Sequence, residues 1–339
     1  MRAAVLRNGR MVLRDHVPEP APGPGQVLVK VLACGICGSD LHFAKHAEDV
    51  VALSAEMTGL SGGGGAPLDL SNDVFLGHEF SAEVLEAGAD TEAPKPGTVV
   101  TSPPVLLSPA GIEPIFSSNT TIGGYAERML LSAPLLLTVP NGLAPRHAAL
   151  TEPMAVGLHA VNKSAIKPDE AAMVLGCGPI GIAIIAALRN HGVEHIVAAD
   201  FSRKRRELAL IMGAHVVVDS ADGSPFDNSA PAVVFEAVGA PGVIDDVLRR
   251  APVGTRVVVA GVCMEPDTVH PFFAAPKEIS LQFVFAYDIN EFAESLRAIA
   301  EGEIDVEPMI TGEVGLDGVG AAFDALSDPD QHCKILVKP

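Results

Sequence analysis

Hydrophobic and polar positions follow two regimes along the 339-residue chain. In the first half, apolar residues recur at every second position in short stretches, as in 26–32 (QVLVKVL) and 81–87 (SAEVLEA). That period belongs to strands with one buried face. Residues 1–32 and 97–137 read as further short strands, interrupted by turn signals such as the stiff loop Pro18, Pro20, Pro22, Gly23, Pro24 and Gly25. From 171 onward the pattern changes to unbroken apolar runs, AAMVL (171–175) and HIVAA (195–199), which suit strands covered on both sides of a parallel sheet. Helical stretches at 179–190 and 202–212 alternate with them, and strands at 216–219, 232–238, 255–262 and 280–287 continue the series. The pattern predicts an α/β chain, with a mostly-β N-terminal domain followed by a doubly wound parallel sheet. We place the divisions at 1–156 and 157–288. The segment 289–339, containing a helix at 290–301 and a strand at 334–337, is expected to return to the first domain.

Two stretches fit neither regime. Thr151-Glu152-Pro153 opens a helix over 154–163. Residues 43–73 carry no clear period and include Gly62 to Gly65, so they are expected to form an irregular loop with a flexible tip.

The second half is organised around Gly176-Cys177-Gly178-Pro179-Ile180-Gly181, between the strand at 171–175 and its helix. The three glycines do different things. Gly176 makes the tight turn, Gly178 admits a pyrophosphate, and Gly181 lets helix and strand approach. Phosphates would sit on the free N–H groups of that helix, with Pro179 and Ile180 in its first turn. Asp200 closes the next strand, where a carboxylate accepts from the adenine ribose hydroxyls. Strand, turn, helix, strand and acid in this order are a dinucleotide site, whereas an ordinary glycine crossover needs only the turn.

Composition removes several classes of function. A net charge of −19 argues against nucleic acid or an anionic membrane as partner. With 48% hydrophobic and 19% charged residues, the balance is that of a globular enzyme. No run reaches the roughly 18 apolar residues of a membrane span, and MRAAVLRNGRMVL lacks a signal-peptide core, so a cytoplasmic protein is expected. Five cysteines in this length do not make a disulfide framework.

Some of those cysteines sit among other metal-ligand types. Cys37, His78, Glu79 and Glu152 offer the thiolate, imidazole and carboxylate donors that suit Zn²⁺. They are dispersed, so spacing alone does not bring them together. Taken singly, Cys37 reads equally as a small buried hydrophobe, His78 as a satisfied strand-edge histidine, and each glutamate as a solvated carboxylate. Cys34 reads as core.

The strings CGICGSDLH (34–42), GHEF (77–80), TEP (151–153) and GCGPIG (176–181), followed by the terminal KILVKP, together resemble the zinc-dependent medium-chain alcohol dehydrogenases over the whole chain. The resemblance implies a GroES-like catalytic domain and a Rossmann NAD-binding domain. It makes Cys37 and His78 zinc ligands, with Glu79 as a carboxylate that exchanges onto the metal. Glu152 stands where many members carry a second ligating cysteine, as in the polyol, threonine and glucose dehydrogenase branches. Ser39 would hold the substrate hydroxyl, His42 would pass its proton to solvent, and Asp40 would orient His78. Gly176, Gly178, Pro179, Ile180, Gly181 and Asp200 would bind NAD(H), and Lys334 would meet the pyrophosphate. The implied activity is hydride exchange between an alcohol and NAD⁺, or the reverse carbonyl reduction, in a homodimer or homotetramer.

Three departures bear on that reading. Residues 103–121 contain no cysteine, so one catalytic zinc and no structural zinc is expected. The stretch between Cys37 and His78 is long, which makes 43–73 a candidate substrate lid. The residue after Cys37 is Gly38, so no arginine assists the phosphates there. Phe43, Met57, Leu60, Leu106, Leu107, Ile115, Phe116 and Phe285 line an apolar substrate pocket or are plain core. A polyol-type dehydrogenase and a catalytically idle nucleotide-binding protein are the competing functions.

Overall fold

The computed structural model describes residues 1–61, 68–108, 111–227 and 229–339, with the backbone alone at 58–61. The chain divides into two compact units. One comprises Met1–Glu152, Ile310–Asp328 and Lys334–Pro339, the other Pro153–Met309 and Pro329–Cys333.

The first unit is built on a mostly antiparallel sheet. Its strands run in the order Leu137–Thr138, Val99–Thr101, Glu79–Ala87, Gln26–Gly35, Lys334–Val337 and Ile310–Val314, and Arg128–Ser132 also pairs with Gln26–Gly35. The alternating residues Val27, Val29 and Val31 meet Phe80, Ala82 and Val84 in the core, with Tyr125, Met129 and Leu131. Each fully buried aliphatic side chain contributes about 1.5–3 kcal/mol. A smaller sheet joins Arg10–Arg14, Ala3–Arg7 and Val74–Phe75.

In the second unit six parallel strands run Val216–Asp219, His195–Asp200, Ala171–Leu175, Val233–Glu236, Arg256–Val259 and Ser280–Phe283. Their order reverses at Ala171–Leu175, the doubly wound arrangement, whose ligand side lies at the strands' C-terminal ends. Gly157 lets the helix Thr151–Ser164 press on Pro179–Asn190, since a Cβ there would stand 2.5 Å from the Ala183 carbonyl carbon.

The fold corrects two expectations. Residues expected to begin an irregular loop instead form the helix Gly38–Ser61, with non-helical φ/ψ at His46. Ten of its 24 residues are Ala, Leu, Met or Glu, which favour helix; the glycine run Gly62 to Gly65 lies outside the described residues. The helix Ile289–Ala300 belongs to the second unit and does not return to the first. Its Phe292 and Leu296 are buried, and its Glu291 contacts His159 Nδ1 (2.7 Å) and Asn162 Nδ2 (2.8 Å) of that unit. Only Ile310–Asp328 and Lys334–Pro339 rejoin the first unit.

Candidate metal centre and dinucleotide site

Antiparallel pairing of Gly35 with Glu79 and of Cys34 with Phe80 fixes the metal centre. It sets Cys37, two residues past the end of one strand, against His78, the residue just before the other. Ligand atoms of Cys37, His78 and Glu79 all lie within 4.8 Å of one another, and no other such group occurs among the described residues. Glu152, in the first turn of Thr151–Ser164, is buried but is not part of that group.

The surroundings draw in a cation. Burial works against protonating His78, but the Asp40 carboxylate and Cys37 outweigh it and raise its pKa well above the ordinary 6.5. His78 Nδ1 stands 3.4 Å from Asp40 Oδ1, and Nε2 stands 3.3 Å from Ser39 Oγ. A thiol, an imidazole and a carboxylate in a buried negative field fit a zinc ion. Ser39 and His42 are three residues apart on one helix, hence on one face of it. Burial, then His46 and Lys45, lower the His42 pKa. Cys34 is fully buried, and burial with Asp40 and Glu79 pushes its pKa up, so it is an inert thiol.

Lys334, expected at the pyrophosphate, has its partners within the first unit. It is fully buried in the first unit, and its ammonium donates to Glu79 Oε1 (2.7 Å), Glu79 Oε2 (2.8 Å) and the Ile36 carbonyl (3.0 Å). It neutralises Glu79, whose carboxylate occupies space that only a glycine at position 35 leaves free: a Cβ there would lie 2.0 Å from Glu79 Oε2.

The apolar residues divide. Phe43, Leu106 and Ile115 are core, whereas Met57, Leu107, Phe116 and Phe285 are exposed; the Leu60 side chain lies outside the described residues. Phe116 alone of these is shown against the metal centre, its ring edge-on to His78 at 6.3 Å.

The dinucleotide turn of the second unit forms mainly from backbone. Gly176 has φ +87°, which L side chains rarely adopt, and a Cβ on Gly181 would stand 1.8 Å from the Gly176 carbonyl oxygen. Gly178 caps the helix Pro179–Asn190, with Pro179 in its first turn and Ile180 following. Asp200 ties the turn to the next strand by accepting from Cys177 N–H (2.7 Å) and Ser202 N–H (2.8 Å). A carboxylate has about four acceptor positions, so it retains capacity for ribose hydroxyls. A cavity of about 240 Å³ opens at the C-terminal ends of neighbouring strands, lined by Glu236, Gly239, Gly261, Cys263 and Phe283 among others.

With both sites defined, relatives locate the chain. Residues 23–141 match the alcohol dehydrogenase GroES-like domain, and residues 179–301 match the zinc-binding dehydrogenase domain. (R,R)-butanediol dehydrogenase of Bacillus subtilis is 30% identical, with all of both chains covered. The chain belongs to the zinc-dependent medium-chain alcohol dehydrogenases. Bovine sorbitol dehydrogenase is 26% identical over 96% of this chain and 92% of its own. A zinc-binding dehydrogenase from Sinorhizobium meliloti bound to NADP superposes with a TM-score of 0.83 at 29% identity, covering 100% of this chain and 99% of that one. As a member of this family, the protein is an oxidoreductase that uses zinc and a nicotinamide cofactor to interconvert small alcohols and carbonyl compounds.

Sequence reasoning missed the Lys334–Glu79 pair and the hydroxyl of Tyr125, which donates to Asp40 Oδ2 at 2.5 Å. The available signal was Gly123-Gly124 before the tyrosine, two residues without side chains where a segment must pack closely.

Proposed function

We propose that the protein oxidises a secondary alcohol beside a second oxygen function, a vicinal diol or polyol, with NAD⁺, and reduces the matching hydroxyketone in reverse. The observation that carries the reading is the convergence of Cys37, His78 and Glu79 in a largely buried site beside the Asp40 carboxylate, with Ser39 at 3.3 Å from His78. The diol preference is supported by the butanediol and sorbitol dehydrogenases, at 30% and 26% identity. An apolar alcohol is the second reading, favoured by Phe116 beside His78.

Cys37 and His78 hold one zinc per chain, with Glu79 beside them and Glu152 completing the set. When bound, the metal supplies Lewis acidity at the substrate oxygen, and the nicotinamide supplies the hydride acceptor. Ser39 receives the hydroxyl proton, and His42 passes it to solvent. A lowered His42 pKa keeps that ring neutral and able to accept. No second zinc is assigned, because residues 103–121 hold no cysteine.

Asp200 disfavours a 2′-phosphate, which supports NAD over NADP. The Ser202 hydroxyl, a natural donor to such a phosphate, donates instead to Asp330 Oδ1 at 2.5 Å, adding a second carboxylate to that edge. Arg203, Lys204 and Arg205 soften the discrimination. The edge strand Ser280–Phe283, with Phe283 67% and Phe285 85% exposed, pairs with a second copy in a homodimer or homotetramer. We assign the protein to the cytoplasm; among the described residues no helix is long and apolar enough to cross a membrane.

NAD(H)-linked activity across vicinal diols, polyols, aliphatic and aromatic alcohols tests the proposal. The expected result is the highest kcat/KM for a vicinal diol with NAD. A higher kcat/KM with NADP, or NADH binding without turnover of any alcohol, contradicts it.

A further inference from the structure

The chain has two tyrosines, and one of them, Tyr125, is buried to 1% exposure with its hydroxyl on a carboxylate that serves the metal centre. We propose that Tyr125 is a positioning residue of the zinc site: its hydroxyl fixes Asp40, and Asp40 in turn fixes the Cys37 backbone and the His78 ring. The proposal rests on the assignment of zinc to Cys37 and His78.

Asp40 touches both ligands at once. Its Oδ2 accepts from the Cys37 N–H at 3.3 Å and from the Tyr125 hydroxyl at 2.5 Å, while its Oδ1 faces His78 Nδ1 at 3.4 Å. The carboxylate is 2% exposed, so water has little access to restore a lost donor. Without the tyrosine hydroxyl, its orientation would depend on two long contacts, to the groups it is meant to orient.

The ring that carries the hydroxyl is set from several sides. Gly124 N–H donates to the Gly77 carbonyl (2.7 Å), and Ala4 N–H donates to the Tyr125 carbonyl (2.8 Å). A Cβ on Gly77 would come within 2.8 Å of the ring at Cδ1, so the residue immediately before His78 must be small for Tyr125 to lie there. Phe323 meets the ring edge-on at 6.1 Å. The remaining freedom is the O–H direction, between Asp40 Oδ2 at 2.5 Å and the Gly35 carbonyl at 3.3 Å, and the shorter, charged acceptor wins. Burial, reinforced by Asp40, raises the Tyr125 pKa well above 10, so the hydroxyl keeps its proton and remains a donor.

Groups that orient metal ligands typically alter affinity by about 10–100-fold when removed. Tyr125→Phe keeps the ring and deletes the donor. Zinc affinity of the full-length protein is read by competition with a chelator, and the Co²⁺-substituted protein gives a d–d spectrum that reports ligand geometry. We expect Tyr125→Phe to weaken zinc binding about tenfold and shift the Co²⁺ bands, with NADH affinity unchanged. In an Asp40→Asn background the same change should cost less than twofold, because the two residues act as one unit. An unaltered zinc affinity and Co²⁺ spectrum overturns the proposal, as does a tenfold loss that persists in the Asp40→Asn background. A Tyr125→Phe protein whose zinc-free form fails to fold, judged by circular dichroism, also overturns it in favour of a purely structural role. Wild-type protein that binds no zinc overturns the zinc assignment itself, a result distinct from wild-type binding with Tyr125→Phe unchanged.

Discussion

The dinucleotide turn and the metal centre solve opposite problems. The turn comes from one stretch of sequence, 171–200, and works mostly through backbone: Gly176 and Gly181 contribute by having no side chain. The metal centre draws Cys37, Asp40, His78, Glu79, Tyr125 and Lys334 from four distant parts of the chain, and nearly all are buried polar groups. A site made of absences is local and tolerates little added volume. A site made of buried charges depends on partners that neutralise one another, and each partner lost leaves another exposed to a low dielectric.

The sharpest way to break that contrast is the Lys334–Glu79 pair. Lys334→Met leaves a buried carboxylate without its cation and should cost about 3–5 kcal/mol of stability, measured by urea unfolding. Pairing it with Glu79→Gln should recover most of the loss. A single variant as stable as wild type would show that the charges are not coupled.

The next effect is kinetic and belongs to the metal-centre unit. Ser39→Ala removes the group assigned to the substrate oxygen and should lower kcat within the range of about 10²–10⁴ for acid–base groups. His42→Ala should lose about 10² or less, since water can replace an exposed relay. A larger loss for His42→Ala than for Ser39→Ala would reverse the assigned roles.

On the other side of the comparison, Gly181→Ala puts a Cβ 1.8 Å from the Gly176 carbonyl oxygen. The turn must shift, and NADH affinity should fall. Zinc content should not change. Loss of zinc in this variant would mean that the two sites are not separable.

The smallest effect concerns Glu236, a buried carboxylate in the nucleotide unit that accepts from Val238 and Gly239 N–H. Burial raises its pKa above the ordinary 4.5 despite those bonds. The folded state therefore holds the proton more tightly than the unfolded chain. The resulting stabilisation is complete below pH 4.5 and is lost as pH rises through the folded value. Glu236→Gln should lack this slope, so the stability of wild type relative to the variant should decline over that window. Parallel pH–stability curves for the two proteins would contradict it.

The contrast also explains what is legible in the sequence. The parallel strands announce themselves as apolar runs, and the glycine turn as a fixed order of elements, because both causes lie within a few residues. The helix Gly38–Ser61 is obscured by the glycines that follow it, although its own residues favour helix. The helix Ile289–Ala300 reads as part of the wrong unit because its anchors, His159 and Asn162, are about 130 positions away. Lys334 and Glu79 meet across 255 residues, and a lysine near a terminus carries no sign that it will be buried. Tyr125 follows two glycines, while its bond to Asp40 joins residues 85 positions apart.

The most direct test of the account is the metal content of Cys37→Ala beside wild type, with NADH binding measured on the same samples. One zinc per wild-type chain is expected. In the variant zinc and alcohol oxidation should both be lost, with NADH affinity unchanged. A Cys37→Ala protein that keeps its zinc and still oxidises alcohol would contradict the assignment, and two tightly bound zincs per wild-type chain would contradict the single-site reading.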